Sequence, residues 1–272
     1  MESFLRRCLV AGILFLSPLL VHSEYLPEPE IKWAFTLPEA GTIFGRSLRK
    51  GNGVVVSNDS SRIFVTADDG SFHIIRPDSS EDEYISYIPT PLQGTFTECQ
   101  SSVALHENPN TQYAVYAVMD IPLEYTGGLQ EVTSRIIAVN LDGSMRWTVL
   151  VEGSVAGSPV ISKDGSKVFV SCNTDTGGLV KVIEDNLENG GSNVLVDLFS
   201  ATRTAPFTPV TIREVSPGVE HVYVAESSDD GFALEGNVFF IDEALEFRVF
   251  SVWERSAVHR PTVSSDGQSV WM

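Results

Sequence analysis

Basic residues are scarce in this 272-residue chain, and they do not cluster. Lys and Arg together number 18 against 36 Asp and Glu, which gives a formal net charge of −18. Binding to the phosphates of nucleic acids or to anionic lipid requires patches of positive charge. We therefore do not expect nucleic acid among the partners of this chain.

Cysteine is also rare, with three residues in all. Cys8 lies in the N-terminal apolar segment, which leaves Cys99 and Cys172 in the rest of the chain. In an oxidising compartment these two residues could form one disulfide, or they could stay as two buried thiols. The sequence does not supply the Cα separation that a disulfide needs, so both alternatives stay open.

Long apolar runs are absent except at the N-terminus. Two arginines there precede the apolar stretch 8–21, and small residues follow it. This pattern is typical of a secretory signal peptide, residues 1–23, cleaved between Ser23 and Glu24. The stretch is short for a membrane span, which needs about 20 residues. We expect the mature chain, 24–272, in the lumen of the secretory pathway or outside the cell, with no membrane attachment.

What the chain does have is a repeated hairpin. The segment ISKDGSKVFV (161–170) aligns without gaps with VSNDSSRIFV (56–65) and with VSSDGQSVWM (263–272). Two looser copies occupy 102–118 and 209–225. Each copy reads as strand, turn and strand. The first copy also holds the chain's one N-glycosylation sequence, at Asn58, which lies in a predicted turn.

The copies recur at a nearly constant interval. Their second strands carry an aromatic residue each, separated by 52, 53, 54 and 48 residues: Phe64, Tyr116, Phe169, Tyr223 and Trp271. Each interval has room for four strands, and helical periodicity is absent. A repeat of this length with β-strand signals is typical of β-propeller blades. We therefore predict an all-β fold, a β-propeller of four-stranded antiparallel blades.

The predicted blades form one domain, and their expected limits follow from the interval. Four complete blades are expected at roughly these limits, with part of a fifth at the end: 50–90, 98–151, 155–200, 205–252 and 258–272. A further strand is predicted at Ile31–Leu37. Because the chain stops within the second strand of the fifth blade, we expect an open or incomplete ring. We therefore expect the chain to be a fragment or a truncated gene model of a larger propeller.

One unit resembles a known family. The segment IIAVNLDGSMRWTVLV (136–151) resembles the repeat of pyrroloquinoline-quinone-type propellers, in the superfamily of quinoprotein alcohol dehydrogenases. Ala138, Gly143 and Trp147 match the family pattern, whereas Asn140 replaces its Asp. In that family the Trp and the turn Gly stack adjacent blades on one another. The resemblance therefore implies a structural role for these three residues.

The same resemblance raises the question of a quinone cofactor. Quinone-dependent members hold calcium with Glu, Asn and Asp side chains, and many place adjacent cysteines over the quinone; this chain has no adjacent cysteines. Two acidic pairs could supply oxygen ligands to calcium: Asp68 with Asp69, and Asp229 with Asp230. Both pairs precede a glycine, so their simpler interpretation is hairpin turns. We predict no cofactor and no metal, with pyrroloquinoline quinone and calcium as the alternative.

No catalytic residues emerge from the sequence. A Gly-x-Ser-x-Gly elbow, a phosphate-binding loop and histidines at metal-ligand spacing are all absent. We expect a non-catalytic secreted or lumenal propeller that binds an unknown protein or glycan. The alternative is a fragment of a quinone-dependent dehydrogenase, with or without bound calcium, because propellers host both functions.

Overall fold

The described part of the chain is built from β-strands. The computed structural model describes residues 54–76, 85–99, 101–125, 131–175, 177–186, 191–199, 208–226, 236–242, 244–253 and 261–271. These residues form twenty strands in five antiparallel sheets, and they contain no α-helix. All of them belong to one structural unit, residues 39–272. Within the described ranges, no helix is long and apolar enough to cross a membrane.

The first two sheets take up the N-terminal half of the described chain. Sheet 1 contains β1 (Val54–Val56), β2 (Ile63–Thr66), β3 (Phe72–Ile75) and β4 (Ile85–Tyr87). Sheet 2 contains β5 (Thr95–Glu98), β6 (Ala104–His106), β7 (Tyr113–Pro122), β8 (Thr133–Asn140) and β9 (Met145–Glu152). In sheet 2, β5 and β6 pair with opposite ends of β7, so together they form one interrupted first strand.

The next three sheets follow the same order. Sheet 3 contains β10 (Ser154–Val155), β11 (Val160–Ile161), β12 (Lys167–Thr174), β13 (Gly177–Asn186) and β14 (Gly191–Phe199). Sheet 4 contains β15 (Thr211–Ser216), β16 (Val219–Ala225), β17 (Gly236–Ile241) and β18 (Phe247–Trp253). Sheet 5 is described by β19 (Thr262–Val263) and β20 (Val270–Trp271). The prediction of an all-β chain with antiparallel four-stranded sheets is confirmed.

The gapless alignment of the three hairpins agrees with their strand registers. Val56 pairs with Ile63, Ile161 with Val168, and Val263 with Val270, so equivalent residues face each other in all three hairpins. The predicted signal peptide, residues 1–23, and the predicted strand at Ile31–Leu37 lie outside the described residues.

The interruption of the first strand in sheet 2 was not expected, and it has a physical cause. Between β5 and β6 the backbone bonds to sheet 1 instead of to β7. The Cys99 N–H donates to the carbonyl of Asp68 at 2.9 Å, and the Ser101 carbonyl accepts from the Thr66 hydroxyl at 2.7 Å. These bonds tie sheet 2 to its neighbour.

Consecutive sheets are held together by hydrophobic clusters. Four clusters of buried side chains lie between sheets 1 and 2, 2 and 3, 3 and 4, and 4 and 5. Aromatic residues contribute to each: Phe64 with Tyr116, Tyr113 with Trp147, Phe169 with Phe239, and Tyr223. Each sheet therefore completes its core with the sheets next to it in the chain.

Strand β7 shows how one strand serves two interfaces. Ala114, Tyr116 and Val118 pack in the cluster with sheet 1, whereas Tyr113 and Val115 pack in the cluster with sheet 3. Because successive side chains point to opposite faces, a continuous apolar run is buried on both sides. This explains why Tyr113–Ile121 is buried throughout.

The turn of the hairpin in sheet 3 also contacts sheet 2. Gly165 has a φ of +75°, in the left-handed region that favours glycine. A Cβ atom at this position would collide with the imidazole ring of His106, which is itself buried. The Tyr113 hydroxyl donates to the Gly165 carbonyl at 2.7 Å. The glycine thus permits close approach of the two sheets.

Gly165→Ala is expected to destabilise the fold by more than Gly218→Ala. Gly218 has a φ of +80°, and nothing lies within 4 Å of its Cβ position, so it reports backbone strain alone. That strain costs roughly 1–2 kcal/mol, and overpacking against His106 adds about 1–3 kcal/mol. Urea unfolding of both variants measures the difference. Equal losses would show that the contact between Gly165 and His106 does not limit stability.

Candidate functional site

Sheet 2 contains a buried ion pair. Asp120, on β7, is 0% exposed, and Arg135, on β8, is also buried. The Arg135 Nε donates to Asp120 Oδ2 at 2.5 Å, and its Nη2 donates to Oδ1 at 2.8 Å. This two-point geometry is the strongest arrangement that an arginine and a carboxylate can form.

Two more groups complete the bonding of this pair. The Thr97 hydroxyl, on β5, donates to Asp120 Oδ1 at 2.8 Å. The Arg135 Nη1 donates to the backbone carbonyl of Thr90 at 2.9 Å, and its Nη2 donates to the Thr97 hydroxyl at 3.3 Å. Arg135 therefore connects β8 with β5 and with the segment that joins sheet 1 to sheet 2. Desolvating two charges is costly, and full hydrogen bonding offsets that cost.

The ion pair lies beneath two loops at one end of the sheets. The linker loop, residues 88–94, joins β4 to β5, and the segment 122–125 follows β7. The Leu123 N–H donates to the Gly94 carbonyl at 3.1 Å, so the two loops are in direct contact. Within the linker loop the Thr95 N–H donates to the Leu92 carbonyl at 3.1 Å. These bonds give the loops a defined backbone.

These loops expose large apolar side chains. Ile88 is 68% exposed, Leu123 is 55% exposed, and Tyr125 is 42% exposed. We call these three residues the apolar rim. Exposed apolar side chains on loops that a rigid scaffold supports are a feature of surfaces that bind other proteins.

Removing the arginine beneath the rim is expected to be costly. Arg135→Leu leaves the carboxylate of Asp120 buried without its counter-ion, and breaking a buried pair in this way costs about 3–5 kcal/mol. The double variant Asp120→Leu/Arg135→Leu removes both charges and should recover part of that loss. Urea unfolding measures stability, and hydrogen exchange of the amides of Thr90 and of residues 92–95 reports on the linker loop. An Arg135→Leu protein as stable as the parent would contradict this assignment.

The residues that match the family repeat lie at two different interfaces. Gly143, with a φ of +86°, approaches sheet 1, where an added Cβ would collide with Ile85. Trp147 is 3% exposed and packs in the cluster with sheet 3. Ala138 pairs with Trp147 across the strands and is fully buried. The motif thus contacts the preceding sheet through its glycine and the following sheet through its tryptophan.

Trp147 also takes part in a polar cluster that bridges sheets 2 and 3. Its indole Nε1–H donates to Asp185 Oδ1, on β13, at 2.7 Å. Arg146 donates to the same carboxylate through Nε at 2.8 Å and through Nη2 at 2.7 Å. The guanidinium carbon of Arg146 lies 4.6 Å from the ring centre of Tyr113. One carboxylate thereby anchors two neighbouring side chains of the other sheet.

Trp147→Ala should destabilise the fold by about 3–5 kcal/mol because it opens a cavity between two sheets. Trp147→Phe retains most of the apolar contact but removes the donor to Asp185, so its loss should be smaller. Thermal and urea unfolding of the two variants separate packing from hydrogen bonding. An unchanged melting temperature for Trp147→Ala would refute a role in joining the sheets.

Of the proposed calcium ligands, Asp69 is occupied by its own turn. Its Oδ1 accepts from the Ser71 N–H at 3.0 Å and from the Ser71 hydroxyl at 2.6 Å. The Ser71 hydroxyl oxygen lies 2.7 Å from Nε2 of His73. Burial lowers the pKa of His73, although the negative charge of Asp69 raises it. The neutral ring can therefore donate to Ser71, which donates to Asp69. The backbone carbonyl of Asp68 accepts from sheet 2.

Asp229 and Asp230, the second proposed pair, lie outside the described residues. Within the described ranges, no group of three or more His, Cys, Asp or Glu side chains is arranged to hold a metal ion.

The hairpin turns use their carboxylates in the same way. In the three aligned hairpins the serine hydroxyl donates to the aspartate two residues later, at 2.6–2.7 Å: Ser57 to Asp59, Ser162 to Asp164 and Ser264 to Asp266. Hydrogen bonds from Ser57 and Ser61 hold the pKa of Asp59 at about 2. These aspartates are turn-forming groups that keep their charge at neutral pH.

The two cysteines belong to different interfaces. Cys99 is buried between sheets 1 and 2, and Cys172 is buried between sheets 2 and 3. Both are present as thiols. The Cys99 thiol donates to the carbonyl of Ala117 at 3.3 Å.

Two hairpin turns are bound by a glutamate of the next sheet. The Asn58 N–H donates to the carboxylate of Glu107 at 2.9 and 3.2 Å. At the equivalent position the Lys163 N–H donates to Glu220 at 2.9 and 3.0 Å. Glu220 differs from Glu107 because Glu214 stands directly opposite it in the neighbouring strand. Like charges in that position repel each other.

Glu220→Gln is expected to stabilise the protein at neutral pH. Burial raises the pKa of Glu220, and the negative charges of Asp164 and Glu214 raise it further. The hydrogen bond from the Lys163 N–H and the charge of the Lys163 ammonium lower this pKa, but their effect is smaller. The folded state therefore binds this proton more tightly than the unfolded state. The ionised carboxylate lowers stability above its raised pKa, and this effect disappears as the pH falls below the unfolded value of about 4.3.

Chemical unfolding at about pH 7.5 and about pH 4 tests this expectation. The gain from Glu220→Gln should be present at the higher pH and lost at the lower one. Glu107→Gln is the matched control, because Glu107 makes the same contact but follows β6 outside the strand ladder. Parallel stability curves for Glu220→Gln and the parent would contradict the repulsion between Glu214 and Glu220.

Comparison of this chain with protein-family models and with curated proteins finds no match. The function must therefore be argued from the described residues themselves.

Sequence reasoning missed the ion pair beneath the rim. The sequence feature that could have revealed this pair is a single acid, Asp120, in the apolar run YAVYAVMDIP, followed by a single base, Arg135, at the start of the next strand. One acid and one base in adjacent buried strands predict a buried pair, because lone buried charges are rare.

Proposed function

We propose that this chain is a non-catalytic β-propeller that acts as a protein-binding module. In this proposal the five sheets are successive blades around a common axis, and a protein partner binds at the apolar rim. The chain enters the secretory pathway through residues 1–23 and works in its lumen or outside the cell.

The support for successive blades is that contacts repeat from one sheet to the next. The Thr66 hydroxyl of sheet 1 donates to the Ser101 carbonyl of sheet 2 at 2.7 Å. At the equivalent place the Ser171 hydroxyl of sheet 3 donates to the Thr208 carbonyl, before sheet 4, at 2.8 Å. Repeated contacts between nearest neighbours are what a stacked repeat architecture requires.

The single observation that carries the binding function is the rim above the buried ion pair. Ile88, Leu123 and Tyr125 are exposed, yet the two loops that bear them are bonded to each other, and the linker loop is also bonded to Arg135. A preorganised apolar surface loses little conformational freedom on binding. Two aliphatic side chains and a tyrosine favour a protein partner over a glycan, for which polar contacts would have to dominate.

The turn carboxylates support a scaffold in place of a catalytic centre. Asp59, Asp69, Asp164 and Asp266 each accept hydrogen bonds from a neighbouring turn residue. Acidic residues engaged in this way stabilise hairpins and do not converge on a ligand.

Site-specific photocrosslinking tests the binding surface. The full chain is expressed in a secreting cell with a photoreactive phenylalanine analogue at Leu123 or at Leu150. Leu150, on β9, is 58% exposed and serves as the control, because it matches Leu123 in size and exposure but lies outside the loops. We expect a discrete protein adduct from position 123 only.

A second variant connects the adduct to the rim. Ile88→Asp, made in the chain with the photoreactive group at position 123, should reduce the adduct by at least about tenfold if the rim is a binding hot spot. Equal adducts from positions 123 and 150 would refute the proposed surface.

Titration with pyrroloquinoline quinone and calcium tests the alternative function. Saturable micromolar binding, followed by dye reduction with alcohols or aldoses, would favour the quinone-dependent dehydrogenase. We expect no saturable binding by this chain.

A further inference from the structure

One hairpin turn carries an unusual backbone conformation. Ser60 has a φ of +59°, in the left-handed region that non-glycine residues rarely adopt. The equivalent residues of the other two aligned hairpins are Gly165 and Gly267, with φ values of +75° and +69°. The three turns share one backbone, and only the first holds a side chain at this position.

Two physical reasons favour glycine in these turns, and one of them applies to Ser60. At Gly165 and Gly267 an added Cβ would collide with His106 and with Val215 of the neighbouring sheet. Ser60 is exposed, so its side chain has room. The left-handed backbone still disfavours a serine relative to glycine. A residue in a strained conformation raises the question of what its side chain does.

The side chain of Ser60 completes an acceptor sequence. Asn58, Asp59 and Ser60 form the motif Asn-x-Ser, in which the amide of the first residue receives an oligosaccharide and the hydroxyl of the third is required. The equivalent triplets, Lys163-Asp164-Gly165 and Ser265-Asp266-Gly267, lack both functional side chains. The two departures from the shared turn, Asn58 and Ser60, are thus the two residues that the motif demands.

The geometry leaves both groups accessible. Asn58 and Ser60 are exposed, and among the described residues neither the Asn58 carboxamide nor the Ser60 hydroxyl makes a hydrogen bond. The turn is formed by other atoms: Asp59 accepts from Ser57 and Ser61, and the Asn58 N–H donates to Glu107. The turn is therefore complete without the side chains of the motif.

We infer that Asn58 is an N-glycosylation site, and that Ser60 is retained in its left-handed conformation because it completes the acceptor motif. The donor is an oligosaccharide linked to a lipid pyrophosphate. A bond forms between Asn58 Nδ2 and the anomeric carbon, and the bond from that carbon to the phosphate oxygen breaks. The lipid pyrophosphate leaves with the electron pair, the amide nitrogen loses one proton, and nothing is oxidised or reduced.

This site is separate from the proposed binding surface. The turn that bears Asn58 precedes β2, whereas the turn at 67–71 follows β2 at the opposite end of the strand. The rim lies on the loops after β4 and β7. By strand direction these loops share the end of the sheet with the turn at 67–71. A glycan on Asn58 would therefore leave the rim uncovered, and the inference does not depend on the rim binding a partner.

The test is expression of the full chain in a eukaryotic secreting cell, with its own leader and, in a parallel arm, with a host leader in place of residues 1–23. Protein recovered from the lumen or the medium is treated with a peptide N-glycosidase. We expect an increase in gel mobility, and conversion of Asn58 to Asp in the tryptic peptide GNGVVVSNDSSR (51–62). Unmodified Asn58 in lumenal or secreted protein from the host-leader arm would overturn the inference.

Three variants sharpen the result. Asn58→Gln and Ser60→Gly should abolish the mobility shift, whereas Ser61→Ala, which removes the adjacent hydroxyl outside the motif, should retain it. In unglycosylated protein from bacteria, Ser60→Gly should raise the midpoint of thermal unfolding, because glycine suits the left-handed turn. A lower midpoint for Ser60→Gly would contradict the strain argument.

Discussion

Sheets 2, 3 and 4 each have two apolar faces, and neither face can be buried within the sheet. A single twisted antiparallel sheet excludes water from neither side, so its stability depends on what packs above and below it. Here the neighbours are the sheets that precede and follow it in the chain. The strand Tyr113–Pro122 illustrates the constraint, because alternate side chains fill the cluster with sheet 1 and the cluster with sheet 3. Other features of the architecture, including the interrupted strands and the glycine turns, allow adjacent sheets to pack closely.

Polar groups determine how the stacked faces fit together. Apolar clusters alone would tolerate sliding of one sheet over the next, since the hydrophobic effect has no preferred direction. Directional bonds remove that freedom at specific points: Trp147 and Arg146 both bond to Asp185, and the Tyr113 hydroxyl bonds to the Gly165 carbonyl. These bonds connect backbone or buried side chains of adjacent sheets. They fix the position of one sheet relative to the next. A buried ionic group can contribute such specificity even where its net stabilisation is small.

The features that could be predicted from sequence are those with a local cause. The hairpin at 161–170 was recognisable because Ser162, Asp164 and Gly165 form the turn by bonds within a few residues, and the same local pattern recurs at 56–65. The ion pair of Asp120 and Arg135 could not be placed in this way. Its formation depends on the register of β7 against β8 and on the loop after β4, whose Thr90 carbonyl lies 45 residues from Arg135 in sequence. The interruption between β5 and β6 arises from bonds to another sheet, which no pattern within the segment records.

The two ends of the strands carry different kinds of constraint. At the end with the aligned hairpins, Ser, Asp and Gly repeat because each turn must cap itself and fit against the next sheet. At the other end, the linker loop and the segment after β7 differ from their counterparts in length and composition, and the linker loop is held by an arginine of the sheet as well as by its own turn. A repeated scaffold places its variable residues where packing does not dictate them. That division agrees with the exposure of Ile88, Leu123 and Tyr125 on these two loops. It also explains why the two departures in the capped turns, Asn58 and Ser60, stand out against their equivalents.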